Sequence, residues 1–273
     1  MPSSYLRKDN DKRVHTYETS IFFSSANVDF KSQNGSSFTV SLGTPIAIPK
    51  EAENVNLKCE ATQIYNSVPN ISEARQNNLL NFTIDGTPYE FTITKGLYTR
   101  QDLNTTITRL LDNEGLIVDN VIPFEILEDT ATSRIVIGFN QPNINIDFTT
   151  SNKLRQVLGF DSRIVSSNDD LNAFGDNVAR FNLTEFFVLT SSLCDPGMQF
   201  NDRTQNIIQV IPITREPGTN EFYEPRHPPV IDCQNLRGSK RNQVTFNLLD
   251  QNLEPVDTNG EDYSFRILLT YTM

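Results

Sequence analysis

The sequence predicts a mainly β protein, namely a single eight-stranded jelly-roll β-sandwich that carries a small inserted α+β domain. Apolar and polar residues alternate along short runs near both ends of the chain, and helical spacing of apolar residues is confined to its middle. We therefore divide the chain into a flexible N-terminal arm (1–15), a first part of the jelly roll (16–76), the inserted domain (77–163) and a second part of the jelly roll (164–273).

The arm shows no periodicity, and its four basic residues against two acidic ones give it a local charge of +2. After it, side chains alternate with period two, as they do on half-buried strands. Turn-forming residues around Asn34-Gly35 and at 45–50 separate the runs. The pattern predicts three strands, with these alternating positions: Tyr17, Thr19, Ile21 and Phe23; Phe38, Val40 and Leu42; Val55, Leu57, Cys59 and Ala61.

The middle of the chain contains two predicted hairpins and a further strand. Residues 79–84 and 89–94 flank Asp85-Gly86, which is a strong hairpin signal. Residues 124–128 and 134–139 form the second hairpin, and a short strand with Ile144, Ile146 and Phe148 follows it.

Two helices complete the predicted inserted domain. Thr99 can cap the first helix, Asp102 favours its positive end, and the helix stops at 113–115. Ser151 is the expected cap of the second helix, which Gly159 ends. The inward-facing residues are Leu103, Ile107, Leu110 and Leu111 in the first helix and Leu154, Val157 and Leu158 in the second.

The last third of the chain predicts strands without helices. It begins with a polar stretch at 166–177, which we expect to be mobile. Prolines 212, 217, 225, 228 and 229 mark turns and edge positions. Five strands are predicted, at 181–189, 207–213, 229–233, 244–249 and 263–271. With the three strands before the inserted domain they make the eight of a two-sheet jelly roll.

Composition excludes several classes of function. The net charge is −11, which argues against a sequence-independent nucleic-acid binder and against an anionic membrane surface as the main partner. The first thirty residues lack the apolar core of a signal peptide, and no run approaches the ~18 apolar residues of a membrane helix. The three cysteines share no CxxC spacing, so we expect reduced thiols in or near a core of a soluble protein.

We expect no catalytic, cofactor-binding or metal site. The two histidines, His15 and His227, have no metal-ligand spacing. An acidic loop before the last strand lacks the order of an EF-hand and is interpreted as a solvated turn; it holds Asp257, Asn259, Gly260, Glu261 and Asp262. Glu216, Glu221 and Glu224 are expected on a surface loop, because prolines and a glycine surround them. Their spacing alone cannot place two carboxyl groups the ~5–9 Å apart that glycoside cleavage needs.

Two series of residues resemble a known family. The first is Tyr65-Asn66-Ser67-Val68-Pro69-Asn70-Ile71, Asn77-Asn78, Phe82, Tyr89-x-Phe91-x-Ile93, Lys95-Gly96-Leu97-Tyr98-Thr99-x-x-Asp102-Leu103-Asn104, Ile146-Asp147-Phe148, Leu154 and Val157-Leu158-Gly159-Phe160. The second is Val244-x-Phe246-x-Leu248-Leu249-Asp250, Pro255-Val256 and the final strand. In their order and spacing, over most of residues 55–273, they resemble the penton (minor capsid) proteins of virophages and polinton-like elements, above all those of mavirus-like virophages.

The resemblance implies a structural capsid protein of the virion, synthesised and assembled inside the host cell. Five copies would form a homopentamer at each icosahedral fivefold vertex, surrounded by double-jelly-roll major capsid proteins. The inserted domain would face outward, where attachment to a host receptor and steric cover of the vertex are both open. The arm would reach under neighbouring capsomers or, weakly, toward packaged nucleic acid, and no membrane would be bound.

The residues themselves leave two other functions open. One is a carbohydrate-binding β-sandwich module of a fibre or cell-surface protein. Such modules usually stack sugars on exposed aromatic rings, often Trp; this chain has no Trp, although Tyr can substitute. The other is a glycoside hydrolase on a jelly-roll scaffold, which would depend on Glu216 or Glu221.

Overall fold

The protein is mainly β in a computed structural model that describes residues 14–26, 28–150, 153–200 and 202–273. The helices are α1 (Arg100–Asn113) and α2 (Leu154–Leu158), and a short 3₁₀ turn spans Gln234–Leu236. The strands are β1 (Thr16–Ser24), β2 (Phe30–Lys31), β3 (Ser37–Ala47), β4 (Glu53–Tyr65), β5 (Leu79–Ile84), β6 (Thr87–Thr92), β7 (Phe124–Asp129), β8 (Arg134–Phe139), β9 (Ile144–Asp147), β10 (Ile164–Ser166), β11 (Asn172–Phe174), β12 (Phe186–Ser191), β13 (Met198–Phe200), β14 (Arg203–Gln205), β15 (Ile207–Pro212), β16 (Asn220–Tyr223), β17 (Ile231–Asp232), β18 (Lys240–Leu249) and β19 (Tyr263–Thr272).

Two antiparallel sheets contain the strands from both ends of the chain. In the first sheet the order is β1-β19-β4-β16, and β17 also pairs with β4. In the second sheet the order is β15-β12-β18-β3-β2. Each sheet therefore places the last strands of the chain beside the first ones, so the sheets form only after long-range pairing.

The two sheets pack face to face around one hydrophobic core. Phe23 of β1 lies with its ring centroid 4.6 Å from that of Phe246 of β18, and Phe38 of β3 lies 5.4 Å from Tyr263 of β19. The inward positions of the alternating runs, such as Val55 and Leu57 on β4, are buried in this cluster. The period-two pattern thus arises because one side of each strand faces the opposite sheet.

The middle of the chain builds a second hydrophobic core. It lies among a four-stranded sheet of order β10-β9-β5-β6, a three-stranded sheet of order β11-β8-β7, and both helices. Its buried residues run from Ile71 to Val165, and Phe181 packs at its margin. The predicted order of two strands, a helix, three strands and a helix is confirmed here by β5 to α2.

Helix α1 begins where the sequence predicts. The Thr99 hydroxyl accepts a hydrogen bond from the backbone N–H of Asp102, and the Asp102 carboxylate accepts one from the backbone N–H of Thr99. Leu103, Ile107 and Leu111 form its buried face. The predicted cap of α2, Ser151, lies outside the described residues.

Several predictions in the last third were wrong. The stretch 166–177, for which no strand was predicted, contains β11, which pairs with β8. The strand predicted at 181–189 begins only at Phe186, and the one at 229–233 is limited to β17. Strand β16 and the small hairpin of β13 and β14 were not predicted. Strand β16 pairs with β4, which lies far away in the sequence, and β13 and β14 have only three residues each. The alternation of apolar and polar residues within a short window could not predict them.

The N-terminal arm falls almost entirely outside the described residues. Of its fifteen positions, 1–13 are not described. His15, the last of them, exchanges two backbone hydrogen bonds of 3.0 Å with Met273. Across the described ranges, no helix is both long and apolar enough to cross a lipid bilayer.

Candidate functional site

Several side chains from the series that resembles the penton proteins form hydrogen bonds at the junction between the two cores. Asn70, which is buried, donates from Nδ2 to the carbonyl oxygens of Tyr98 at 2.7 Å and Phe181 at 2.9 Å. Its Oδ1 accepts from the backbone N–H of Tyr98 at 2.8 Å. One side chain therefore joins the segment entering the middle part, the segment leaving it and the start of α1.

Further polar contacts support this junction. Asn77 accepts from the backbone N–H of Ser72 at 2.8 Å and donates to the carbonyl of Asn70 at 2.7 Å, so the entering segment is held in a closed loop. Lys95, just before α1, forms a 2.7 Å ion pair with Asp257 in the loop before β19. The middle part is thus bonded both to its own connecting segments and to the loop between β18 and β19.

A cleft of about 400 Å³ opens at the same junction. Its lining includes Asn66, Val68, Phe181, Thr184 and Arg215. Its volume lies within the range of small-molecule sites. The Asn66 amide is already engaged, since it donates to the carbonyl oxygen of Arg215 at 3.2 Å.

The three glutamates of the hydrolase alternative are separated by burial. Glu216 and Glu224 are exposed, as predicted, but Glu221 is buried on β16, so its placement on a surface loop was wrong. Its carboxylate accepts from the Thr214 N–H and hydroxyl at 2.8 Å each and from the Arg215 N–H at 2.9 Å. Glu221 occupies an inward position of an edge strand and fixes the turn before it.

The acidic loop before β19 directs its carboxylates to different cations. Asp257 pairs with Lys95, whereas Asp262 accepts from Lys31 Nζ and from the Ser25 hydroxyl at 2.9 Å. The hydrogen bond from Lys31 lowers the pKa of Asp262. In the part of the chain that is described, no group of three or more His, Cys, Asp or Glu side chains is placed to hold a metal ion.

All three cysteines are free and buried in the core between the sheets, as the sequence predicts. Burial raises the pKa of Cys59 to about 11, so this thiol is protonated and unreactive at neutral pH. The Cys194 thiol donates to the carbonyl oxygens of Ser191 and Asn206, while the neighbouring Cys194 thiol and burial raise the pKa of Cys233.

Sequence reasoning missed the roles of Asn70 and Asn77. Both belong to the motifs quoted for the family resemblance, but polar residues in a proline-containing segment without periodicity look like exposed loop residues. Asn70 is bonded to Phe181, which lies 111 residues later in the chain, and Asn77 is in turn bonded to Asn70. Their position in the sequence was the one available indication, because they lie between the last predicted strand of the first part of the jelly roll and the first hairpin of the inserted domain.

Comparison with known proteins gives a similarity of structure without a similarity of sequence. No protein-family model matches the chain, and no curated protein matches it. Among solved structures, the chain is similar to the crystal structure of selenomethionine-labelled mavirus penton protein, with a TM-score of 0.47 and 12% sequence identity. The alignment covers 93% of this chain and 99% of that one. The description of the fold therefore depends on the strand order and the two cores given above.

Proposed function

We propose that the chain is a structural capsid protein, and that its two packed sheets are an eight-stranded jelly roll. The strand order carries this proposal. If β16 and β17 are counted as one interrupted strand and the short β2, β13 and β14 are set aside, the strands number 1-8-3-6 in one sheet and 2-7-4-5 in the other. A chain that winds between two sheets in this order is a jelly roll, an architecture used in viral capsids and in lectins.

In this proposal the middle part is an α+β domain inserted between the third and fourth strands, β4 and β12. Its separate core supports this division. The motifs that resemble the penton proteins support it too, because Asn70, Asn77, Tyr98, Thr99 and Asp102 build the junction and the start of α1. The shared residues therefore serve the attachment of the insert.

The proposed place of the chain is the fivefold vertex of a virion, as a homopentamer beside major capsid proteins. The two ends of the sandwich support different roles. The start of β1 and the start of β4 lie at the same end of the sandwich, because Thr16 pairs with Thr272 and Thr272 pairs with Glu53. Strand β4 then runs thirteen residues to Tyr65, at the other end, where the insert begins. At about 3.3 Å per residue, the start of β1 lies some ~40 Å from the insert. The arm and the insert would thus act on opposite sides of the capsid shell, the insert outward, covering the vertex or attaching to a host receptor.

Imaging of particles that carry this chain tests the proposal. We expect cryo-electron microscopy to show density for five copies at every vertex, each with the insert on the outer side. Absence of the chain from purified particles, or its presence only in capsomers away from the vertices, would contradict the proposal. Specific binding of a monomer on a glycan array, with no particle association, would instead favour the carbohydrate-binding alternative.

The proposed role of the arm has its own test. Deletion of residues 1–13, which leaves the His15–Met273 pairing intact, should reduce incorporation at vertices relative to the full chain. Replacing the four basic residues of this segment with Gln separates charge from length. Unchanged incorporation of both variants would remove the arm from the proposal.

A further inference from the structure

The sequence contains the dipeptide Asn-Gly twice, and the two copies lie in turns that contact each other. Asn34-Gly35 lies in the turn between β2 and β3, and Asn259-Gly260 lies in the loop before β19. The backbone N–H of Thr258 donates to the carbonyl oxygen of Asn34 at 2.8 Å, which joins the two turns. The same dipeptide therefore occurs at neighbouring positions whose contacts can be compared directly.

An asparagine followed by glycine can modify itself without an enzyme. The backbone nitrogen of the glycine loses its proton and attacks the side-chain amide carbon of the asparagine, so that a C–N bond forms and ammonia leaves. Water then opens the resulting succinimide ring at either carbonyl, which yields aspartate or isoaspartate and adds one negative charge. The ring closes only where the side-chain amide and the next backbone nitrogen are free to rotate toward each other, and glycine has no Cβ to hinder this.

The turn that contains Asn259 leaves both reacting groups free. Asn259 and Gly260 are exposed, with φ angles of +55° and +88°. The N–H of Glu261 donates to the carbonyl oxygen of Thr258 at 3.0 Å, so the dipeptide occupies the two central positions of a tight turn. Among the described residues, neither the Asn259 side-chain amide nor the Gly260 N–H has a hydrogen-bond partner. The space around Gly260 is also open, because an added Cβ would meet no atom within 4 Å.

The turn that contains Asn34 holds the same two groups in place. The Asn34 side-chain oxygen accepts from the Ser32 hydroxyl at 2.7 Å, and from the Ser36 hydroxyl at 2.8 Å and N–H at 3.2 Å. The Gly35 N–H donates to the carbonyl oxygen of Ser32 at 2.9 Å. Gly35 is buried, and a Cβ added there would collide with the Thr258 hydroxyl. Ring closure at Asn34 therefore requires several contacts to break first.

We propose that Asn259 is a modification site, at which the chain slowly converts itself to aspartate and isoaspartate, whereas the fold protects Asn34. The inference goes beyond the proposed function and does not depend on it. The new carboxylate lies in a loop that already holds Asp257, Glu261 and Asp262, and it adds one negative charge to the net charge of −11.

The modification site adjoins contacts that join the insert to the sandwich. The Ser67 hydroxyl donates to the carbonyl oxygen of Thr258 at 2.8 Å, and Lys95 pairs with Asp257 at 2.7 Å. Isoaspartate adds a carbon atom to the main chain between residues 259 and 260, inside the turn that the Glu261 N–H closes on Thr258. Conversion therefore changes both the charge and the backbone of the loop next to the junction.

Incubation of the purified full chain at mildly alkaline pH, followed by proteolysis and mass spectrometry, tests the proposal. Each conversion replaces the amide nitrogen with oxygen and so raises the mass of the peptide that contains the asparagine. In the folded protein, Asn259 should convert at least about tenfold faster than Asn34, because several hydrogen bonds must break before Asn34 reacts. In urea-unfolded protein the two sites should convert at similar rates, since the same dipeptide is then equally free.

Two variants provide matched controls. Asn259→Asp already carries the charge of the product, so on native isoelectric focusing it should match the acidic band that the wild-type protein gains during incubation. A double variant, Ser32→Ala with Ser36→Ala, removes both hydroxyls that hold the Asn34 side chain. It should convert faster than the wild-type protein at Asn34 and at an unchanged rate at Asn259.

Three results would overturn the inference. One is conversion of Asn34 as fast as that of Asn259 in the folded protein. Another is a rate at Asn34 that does not rise on unfolding in urea, and the third is a double variant with no faster conversion at Asn34. All of these measurements use the purified chain, so they stand apart from whether imaging places copies at vertices.

Discussion

Asn70 uses its whole side-chain amide inside the protein, and its three hydrogen bonds join segments distant in sequence. In Asn70→Ala the N–H of Tyr98 and the carbonyl groups of Tyr98 and Phe181 lose their partner in a partly buried site, so we expect a loss of about 1–3 kcal/mol in the free energy of unfolding. Urea denaturation measures it. Asn220→Ala, an exposed position on β16, is the control. A loss no larger than that of the control would show that the junction is held by other contacts.

Asp262 should give the protein a small pH-dependent stability. Its pKa is lowered below the ordinary 3.8 by Lys31 and Ser25, so the folded state favours the ionised form. The contribution is therefore present above about pH 4 and is lost as pH falls through the lowered pKa. Because the Asp262 side chain is 48% exposed, we expect only ~0.2–1 kcal/mol.

The measurement compares Asp262→Asn with the wild-type protein by thermal unfolding from neutral pH downward. The difference in stability should shrink as the pH drops below about 4 and should shrink with added salt. Glu261→Gln, at the neighbouring exposed carboxylate, is the control. A difference that grows on acidification would contradict the assignment.

Glu221 and Glu216 form a natural pair for testing burial against exposure. Glu221→Ala leaves two N–H groups and a hydroxyl at Thr214 and Arg215 without their acceptor, so a loss of about 1–3 kcal/mol in unfolding free energy is expected. Glu216→Ala should change it by less than about 0.5 kcal/mol. Equal effects in chemical denaturation would argue against a structural role for Glu221.

Among the elements, α1 was predictable and β16 was not, for a physical reason. The start of α1 depends on residues three apart, Thr99 and Asp102, and its buried face on a spacing within one helix, so all the information is local. Strand β16 exists because Asn220–Tyr223 pairs with Tyr65–Thr62 more than 150 residues earlier. Prolines and a glycine around it suggested a loop, and only tertiary pairing overrides that signal.

Because the start of α1 is determined by neighbouring residues, replacing its N-cap residue Thr99 should have a measurable effect on stability. Thr99→Ala removes the hydroxyl that accepts from the Asp102 N–H, while the backbone N–H of residue 99 can still donate to the Asp102 carboxylate, and this loss should cost ~1 kcal/mol. Thr105→Ala is the control within the same helix, where Ala is the better helix former. Hydrogen exchange of the first turn of α1 and urea denaturation measure the change; an equal response of the two variants would argue against the cap.

For the whole molecule, the alternation of apolar and polar residues predicted a two-sheet sandwich and a separate middle part. It did not predict how the middle part is joined to the sandwich. The junction depends on Asn70 contacting Phe181, a pair that no local pattern indicates. The predicted limits of the insert, 77–163, stay a prediction. The second core extends to residues beyond both limits, namely Ile71 and Val165.

Excision of the middle part tests whether the sandwich and the inserted domain fold independently. Because the Asn70 amide lies 2.9 Å from the carbonyl oxygen of Phe181, a short Gly-Ser linker can replace residues 71–180. We expect the remaining sheets to unfold cooperatively with a β-type circular dichroism spectrum. A matched variant that lacks only 77–163 should be less stable, since it leaves Ile71 and Val165 exposed to water. Dye binding and loss of cooperativity in the variant that lacks 71–180 would mean that the two cores fold only together.

Within the described residues, strand β1 is the outermost strand of its sheet, and an outer strand promotes association of free copies. At neutral pH the net charge of −11 keeps molecules apart. Near the isoelectric point of about 4.7 this electrostatic repulsion is lost, and the outer strands of different molecules can then pair edge to edge and aggregate. Solutions of the protein should therefore become turbid on acidification to about this pH before the circular dichroism spectrum changes.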